Sequence, residues 1–135
     1  MEEDEKVIKE ICLKAAIIRL IEKDIIEVHT MPEHETQKED VDEINRVTKE
    51  FVNGNPHYVI VFVGRGSTAS KEVREYAAKE TFRKNIIAEA IIIDSLATRI
   101  LASMYMKFAR PKQKIKVVDS KKEAMNWIEG IKKKG

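Results

Sequence analysis

Long apolar runs, aromatic residues and cysteines are all scarce in this chain of 135 residues. No apolar stretch approaches the ~20 residues that a helix needs to cross a bilayer, so no helical membrane span is expected. The acidic opening Met1-Glu-Glu-Asp-Glu lacks the basic start of a secretory signal. A single cysteine, Cys12, excludes an internal disulfide framework and suits a reducing compartment, with the cytoplasm as default. Its neighbours Ile11 and Leu13 suggest an ordinary packed thiol. With 5 glycines and 3 prolines there is no low-complexity or collagen-like tract. Charge of one sign is also missing: 25 basic residues face 23 acidic ones, leaving +2 and no electrostatic case for nucleic acid.

What is present is a soluble globular composition, 43% hydrophobic and 36% charged, in a length suited to one domain. The whole chain, 1–135, reads as that domain, with residues 1–5 as a frayed tail. The lysine-rich end from Ile131 reads likewise as solvated.

Two apolar runs, Ala15 to Ile21 and Ile25 to Val28, flank the polar triplet Glu22-Lys-Asp24 and predict a β-hairpin. Residues 6–13 extend its first strand. Thr36-Gln-Lys-Glu39 has the form of a capping box, followed by Val41, Ile44, Val47, Thr48, Phe51 and Val52 on one helical face. Gly54 and Pro56 end that helix. Tyr58 to Val63 is a continuous apolar run, as expected of a strand covered on both faces. The loop Gly64-Arg-Gly-Ser-Thr-Ala-Ser70 follows, and Ser70 can cap a helix reaching about Phe82.

A second buried strand, Ile86 to Asp94, leads into a helix from Ser95 to about Ala109, closed by Pro111. Lys114 to Val118 forms the last strand. Ser120 and Glu123 then frame a capping box ahead of a helix whose stripe is Ala124, Trp127, Ile128 and Ile131. The order is β-β-α-β-α-β-α-β-α: an α/β fold with a mixed, mostly parallel sheet, an antiparallel hairpin at one side and helices packed on it.

That order resembles the STAS domain of bacterial anti-sigma-factor antagonists, and more closely a family of small bacterial STAS-like proteins. The residues carrying the likeness are Ser70 to Tyr76, the segment Ser95 to Phe108 running into Arg110-Pro-Lys112, and Glu123 to Ile128. The resemblance spans about residue 15 to the end and implies a regulatory, protein-binding role. In STAS antagonists the corresponding loop carries an Asp-Ser-Ser/Thr-Gly-like motif whose hydroxyl is phosphorylated. Here the loop offers Ser67, Thr68 and Ser70 without that Asp or Gly, so no single hydroxyl is carried over.

The same loop supports a rival reading. Gly64-x-Gly66-x-x-Ala69 fits a relaxed dinucleotide fingerprint, with glycines admitting a phosphate to backbone amides and Arg65 adding charge. Against it, the motif follows the third strand rather than the first, and the next acidic strand end, Asp94, lies beyond the usual spacing. A tight turn with a serine cap explains the same residues.

No catalytic constellation is visible. His29, His34 and His57 show no metal-ligand spacing and read as solvated loop histidines. Cys12 has no histidine beside it and Gly-x-Ser-x-Gly is absent. Neither metal nor cofactor is implied. The helix at 95–108 is over-apolar: Ala97, Ile100, Leu101, Met104 and Phe108 form its inward stripe, leaving Leu96, Tyr105 and Met106 outside it. These three are covered by neighbouring helices or form an interface with a protein partner or a second copy of the chain. The adjacent Lys107, Arg110, Lys112 and Lys114 make peripheral membrane contact the weaker third reading.

Overall fold

A computed structural model describes residues 6–93 and 114–134. Among these residues eight strands and four helices follow in chain order: β1 (Lys9–Cys12), β2 (Ala16–Glu22), β3 (Ile25–Thr30), β4 (Glu35–Thr36), α1 (Lys38–Phe51), β5 (His57–Phe62), β6 (Thr68–Ala69), α2 (Lys71–Ala77), α3 (Glu80–Arg83), β7 (Ile86–Ile92), β8 (Lys114–Val118) and α4 (Lys121–Lys134). The α/β class and the mixed sheet stand as expected. The helix anticipated at 95–109, with Leu96, Tyr105 and Met106, lies outside the described residues.

Six strands form one sheet in the order β1-β2-β3-β5-β7-β8. β1, β2 and β3 pair antiparallel, whereas β3, β5, β7 and β8 pair parallel. Parallel neighbours need a crossover, and α1 and the α2–α3 pair supply the first two. Alternation along β3 divides the core. Ile26 and Val28 join Ile18, Leu20, Val47, Val52 and Val59 in one cluster, whose helical side is α1. Ile25 joins Tyr58, Ile60, Ala88, Ala90, Val118, Ala124 and Ile128 on the other face, beneath α4. Ala88 and Ala90 are fully buried, which lets α4 approach the sheet closely.

Four local expectations are corrected. Residues 6–13 do not extend the first strand: the chain reverses at Leu13, whose amide bonds the Ala16 carbonyl at 2.8 Å, and β1 becomes a separate edge strand exposed at all four positions. Cys12 is therefore exposed rather than packed. The box that opens α1 sits one residue later than Thr36, which is still paired as a strand with Ala69; Asp40 instead accepts from the Gln37 amide at 2.9 Å. Finally, the helix expected from Ser70 to Phe82 is two helices, because Lys79 is extended (φ -63, ψ 145). The break lets Phe82 meet the Tyr76 ring edge-on at 5.2 Å and lets Arg83 pair with Glu89 on β7. At α4 the cap is as expected, with Ser120 Oγ accepting from the Glu123 amide at 3.1 Å.

Candidate functional site

The carboxyl ends of β3 and β5 gather the polar groups of interest, and in parallel sheets that end is where ligands and partners are met. Strand β3 alternates Ile25, Glu27 and His29 towards α4. Glu27 is 1% exposed in the middle of the sheet. Isolated there, a carboxylate would cost several kcal/mol, so it must be paired. His29 Nε2 lies 2.8 Å from its Oε1, and Lys121 Nζ, from the first residue of α4, lies 2.6 Å from Oε2. Burial alone pushes the Glu27 carboxyl up. The hydrogen bonds from His29 and Lys121, with their charges, outweigh it and hold the group below its ordinary value.

An ionised Glu27 makes Nε2 the proton-bearing nitrogen of His29. The ring is stacked on Phe62, 4.1 Å between centroids and 5° from parallel. Orientation is thus set by a carboxylate and an aromatic face, and the partly exposed imidazole presents Nδ1 away from the carboxylate. Among the described residues the hydrogen-bond partner of His29 is the Glu27 carboxylate.

Beside it, the loop 64–70 is clamped. Gly64 N donates to Thr30 Oγ1 at 2.8 Å, Ser67 N to the Gly64 carbonyl at 3.0 Å, and Thr68 N to the His34 carbonyl at 3.1 Å. The Arg65 carbonyl accepts from Glu33 N at 2.8 Å, and β6 pairs with β4 in a separate two-stranded sheet. A Cβ on Gly64 would collide with the Thr30 carbonyl, which explains the glycine. Gly66 has φ +73, a conformation glycine adopts without strain. Ser70 Oγ accepts from Val73 N at 3.2 Å, as a cap should. Arg65, Gly66, Thr68 and Ser70 are exposed, and Ser67 is half-buried.

The structure thus brings the candidate loop residues together on one rim. The histidines are not loop residues in common. His29 is in β3, His57 is buried at the start of β5, and only His34 is in a loop, where its Nε2 lies 3.0 Å from Asp40 Oδ2. Burial of Asp40 pushes its carboxyl up, but bonds from the Gln37 amide and His34 bring it below its ordinary value. Sequence reasoning missed Glu27, His29 and Lys121. The available signal was a glutamate and a histidine two apart in an apolar strand, hence on one face. Among the described residues no cluster of three or more His, Cys, Asp or Glu could hold a metal ion.

The class of protein is thus an α/β domain built on a mixed six-stranded sheet, and none of its described helices is long and apolar enough to cross a membrane. The chain belongs to the family described as Domain of unknown function (DUF7793), whose model matches residues 19–132, from within β2 to the last turns of α4. No curated protein and no solved structure matches the chain.

Proposed function

We propose that the chain is a STAS-like, non-enzymatic regulatory module of the cytoplasm. It binds another protein, a second copy of itself being one candidate, through the rim formed by the loop at 64–70. The observation that carries this reading is the clamping of that loop. Its backbone is held by Thr30, Glu33 and His34, while Arg65, Thr68 and Ser70 remain outside. A pre-ordered loop loses little conformational entropy on docking, which favours protein recognition. The alternative, an anion or nucleotide at the same loop, draws less support. The amides of Gly64, Ser67 and Thr68 already donate within the protein, and α2 behind them has only 7 residues.

Charge added at Thr68 would tune such a surface without unfolding it, since the hydroxyl is exposed. In the test, Arg65→Glu and Thr68→Glu are compared with the parent for fold by circular dichroism and for oligomeric state by native mass spectrometry. Proteins captured on the tagged chain from its own cells are compared as well. Both variants should stay folded and lose the associated species. An unchanged mass together with an unchanged set of captured proteins sinks the reading.

A further inference from the structure

The sheet ends at β1, and among the described residues no strand pairs with its outer side. Free amides and carbonyls on such an edge recruit further strands unless charge, proline or cover prevents it. β1 has Lys9 and Glu10, yet it also leaves apolar groups in the open. Of the large apolar side chains exposed among the described residues, Val7, Ile8 and Ile11 lie in or beside β1, and the other is Ile87.

Hydrogen bonds fix which backbone groups of β1 are free. Leu13 N donates to the Ala16 carbonyl at 2.8 Å, so Leu13 points into the β1–β2 ladder. Orientation alternates along a strand. Lys9 and Ile11 therefore point inward too, opposite Leu20 and Ile18, while the amides and carbonyls of Glu10 and Cys12 point to the open edge. Before Lys9 the alternation breaks, because Ile8 N also turns inward, to the Leu20 carbonyl at 2.7 Å. The template offered to another strand is short, from Glu10 to Cys12, with Ile11 at its centre.

We propose that this edge is a homodimer interface, in which β1 pairs antiparallel with β1 of a second copy and Ile11 faces Ile11 across the two-fold axis. Self-complementarity selects that occupant. Opposed side chains share a face of the sheet, so the axis stands normal to it and one residue must oppose its own copy. Centred on Glu10, two carboxylates would meet, and the next outward bonds would fall on Ile8, whose amide is turned inward. Centred on Cys12, Glu10 would face Lys14 in the turn. Centred on Ile11, Glu10 and Cys12 satisfy each other's free amides and carbonyls, and no like charges are opposed. Ile11 then sits at a non-hydrogen-bonded position, where side chains approach most closely, and two exposed isoleucines cover each other. So short a pairing is reversible and depends on concentration. β2 and β3 lie between this edge and β5, from which the 64–70 loop departs, so the interface is independent of that rim.

Sedimentation velocity of the full chain over a range of concentrations should show a monomer–dimer equilibrium. Ile11→Lys, altered at an exposed position, should keep the parent's circular dichroism and raise Kd at least tenfold, since it sets two ammonium groups on the axis. In the paired strands the two Ile11 Cα atoms stand about 4.5 Å apart and the two Cys12 Cα atoms about 8 Å, within and beyond the reach of a disulfide. Under mild oxidation Ile11→Cys/Cys12→Ser should therefore cross-link as a dimer while the parent does not. Arg65→Glu, on the rim, should dimerise as the parent does; loss of the dimer there would assign self-association to the rim instead. The proposal is also overturned if the chain is monomeric at every concentration, if folded Ile11→Lys dimerises unchanged, or if the parent cross-links more readily than Ile11→Cys/Cys12→Ser.

Discussion

Glu27 shows how much depends on one residue in the middle of a strand. Its carboxylate is enclosed by His29 and Lys121, and either partner alone would leave one oxygen unpaired. Replacing it by Gln removes the charge but leaves the Lys121 ammonium facing a neutral amide. Breaking a buried pair in this way costs about 3 kcal/mol, read as a lower urea midpoint at unchanged slope. The further change Lys121→Met should recover part of that loss, because the ammonium facing the neutral amide goes too. The acid limb follows the same group. The folded-state pKa of Glu27 lies below its ordinary 4.5, so between the two values the unfolded chain binds more protons. The stabilisation is whole above about pH 4.5 and is lost as the pH falls through the folded value. Glu27→Gln should flatten that limb, leaving the contribution of Asp40; an acid limb identical to the parent's would show that the pair carries no linkage.

Two glycines separate what a turn requires from what a helix tolerates. Gly64 follows β5 where the loop backbone passes against Thr30, and an alanine Cβ there meets a carbonyl oxygen that cannot swing away. Gly64→Ala should destabilise the protein by about 2 kcal/mol, of the order found for overpacked sites. Gly130 stands exposed inside α4 with nothing near its absent Cβ. Gly130→Ala should stabilise by about 0.8 kcal/mol, the helix-propensity difference. Chemical denaturation of the two variants checks both signs, and equal effects would contradict the placement of Gly64 against β3. The helical pattern of α1 was legible because Val41, Val47 and Val52 recur on one face and are buried there. Its exact start was not, since Thr36 has good capping chemistry but is held as a strand by Ala69.

Across the whole molecule, stability is graded from the sheet centre to its edge. β5 is flanked by β3 and β7 and covered on both faces, whereas β1 has one neighbour and four exposed residues. Val7, Ile8 and Ile11 add an exposed apolar strip in and beside that edge strand. Amide hydrogen exchange should therefore be slowest at Val59 and Ile60 and on the order of 100-fold faster at Glu10 and Ile11. Equal protection in β1 and β5 would mean that the sheet opens only as a unit.

Periodicity alone determined the α/β class, the buried run of β5, the inward stripes of α1 and α4 and the caps at Ser70 and Ser120. These depend on neighbours within a few residues, which the chain order already supplies. Tertiary structure alone decided that Cys12 lies on an open edge, that His29 belongs to a strand and is held by Glu27, and that the 64–70 loop has its amides occupied. It also buried His57, one of the histidines read as solvated, at the start of β5. The reason is distance along the chain. Lys121 meets Glu27, Thr30 meets Gly64 and Asn85 meets Gly54 only after the sheet has assembled, and no local pattern encodes those pairings.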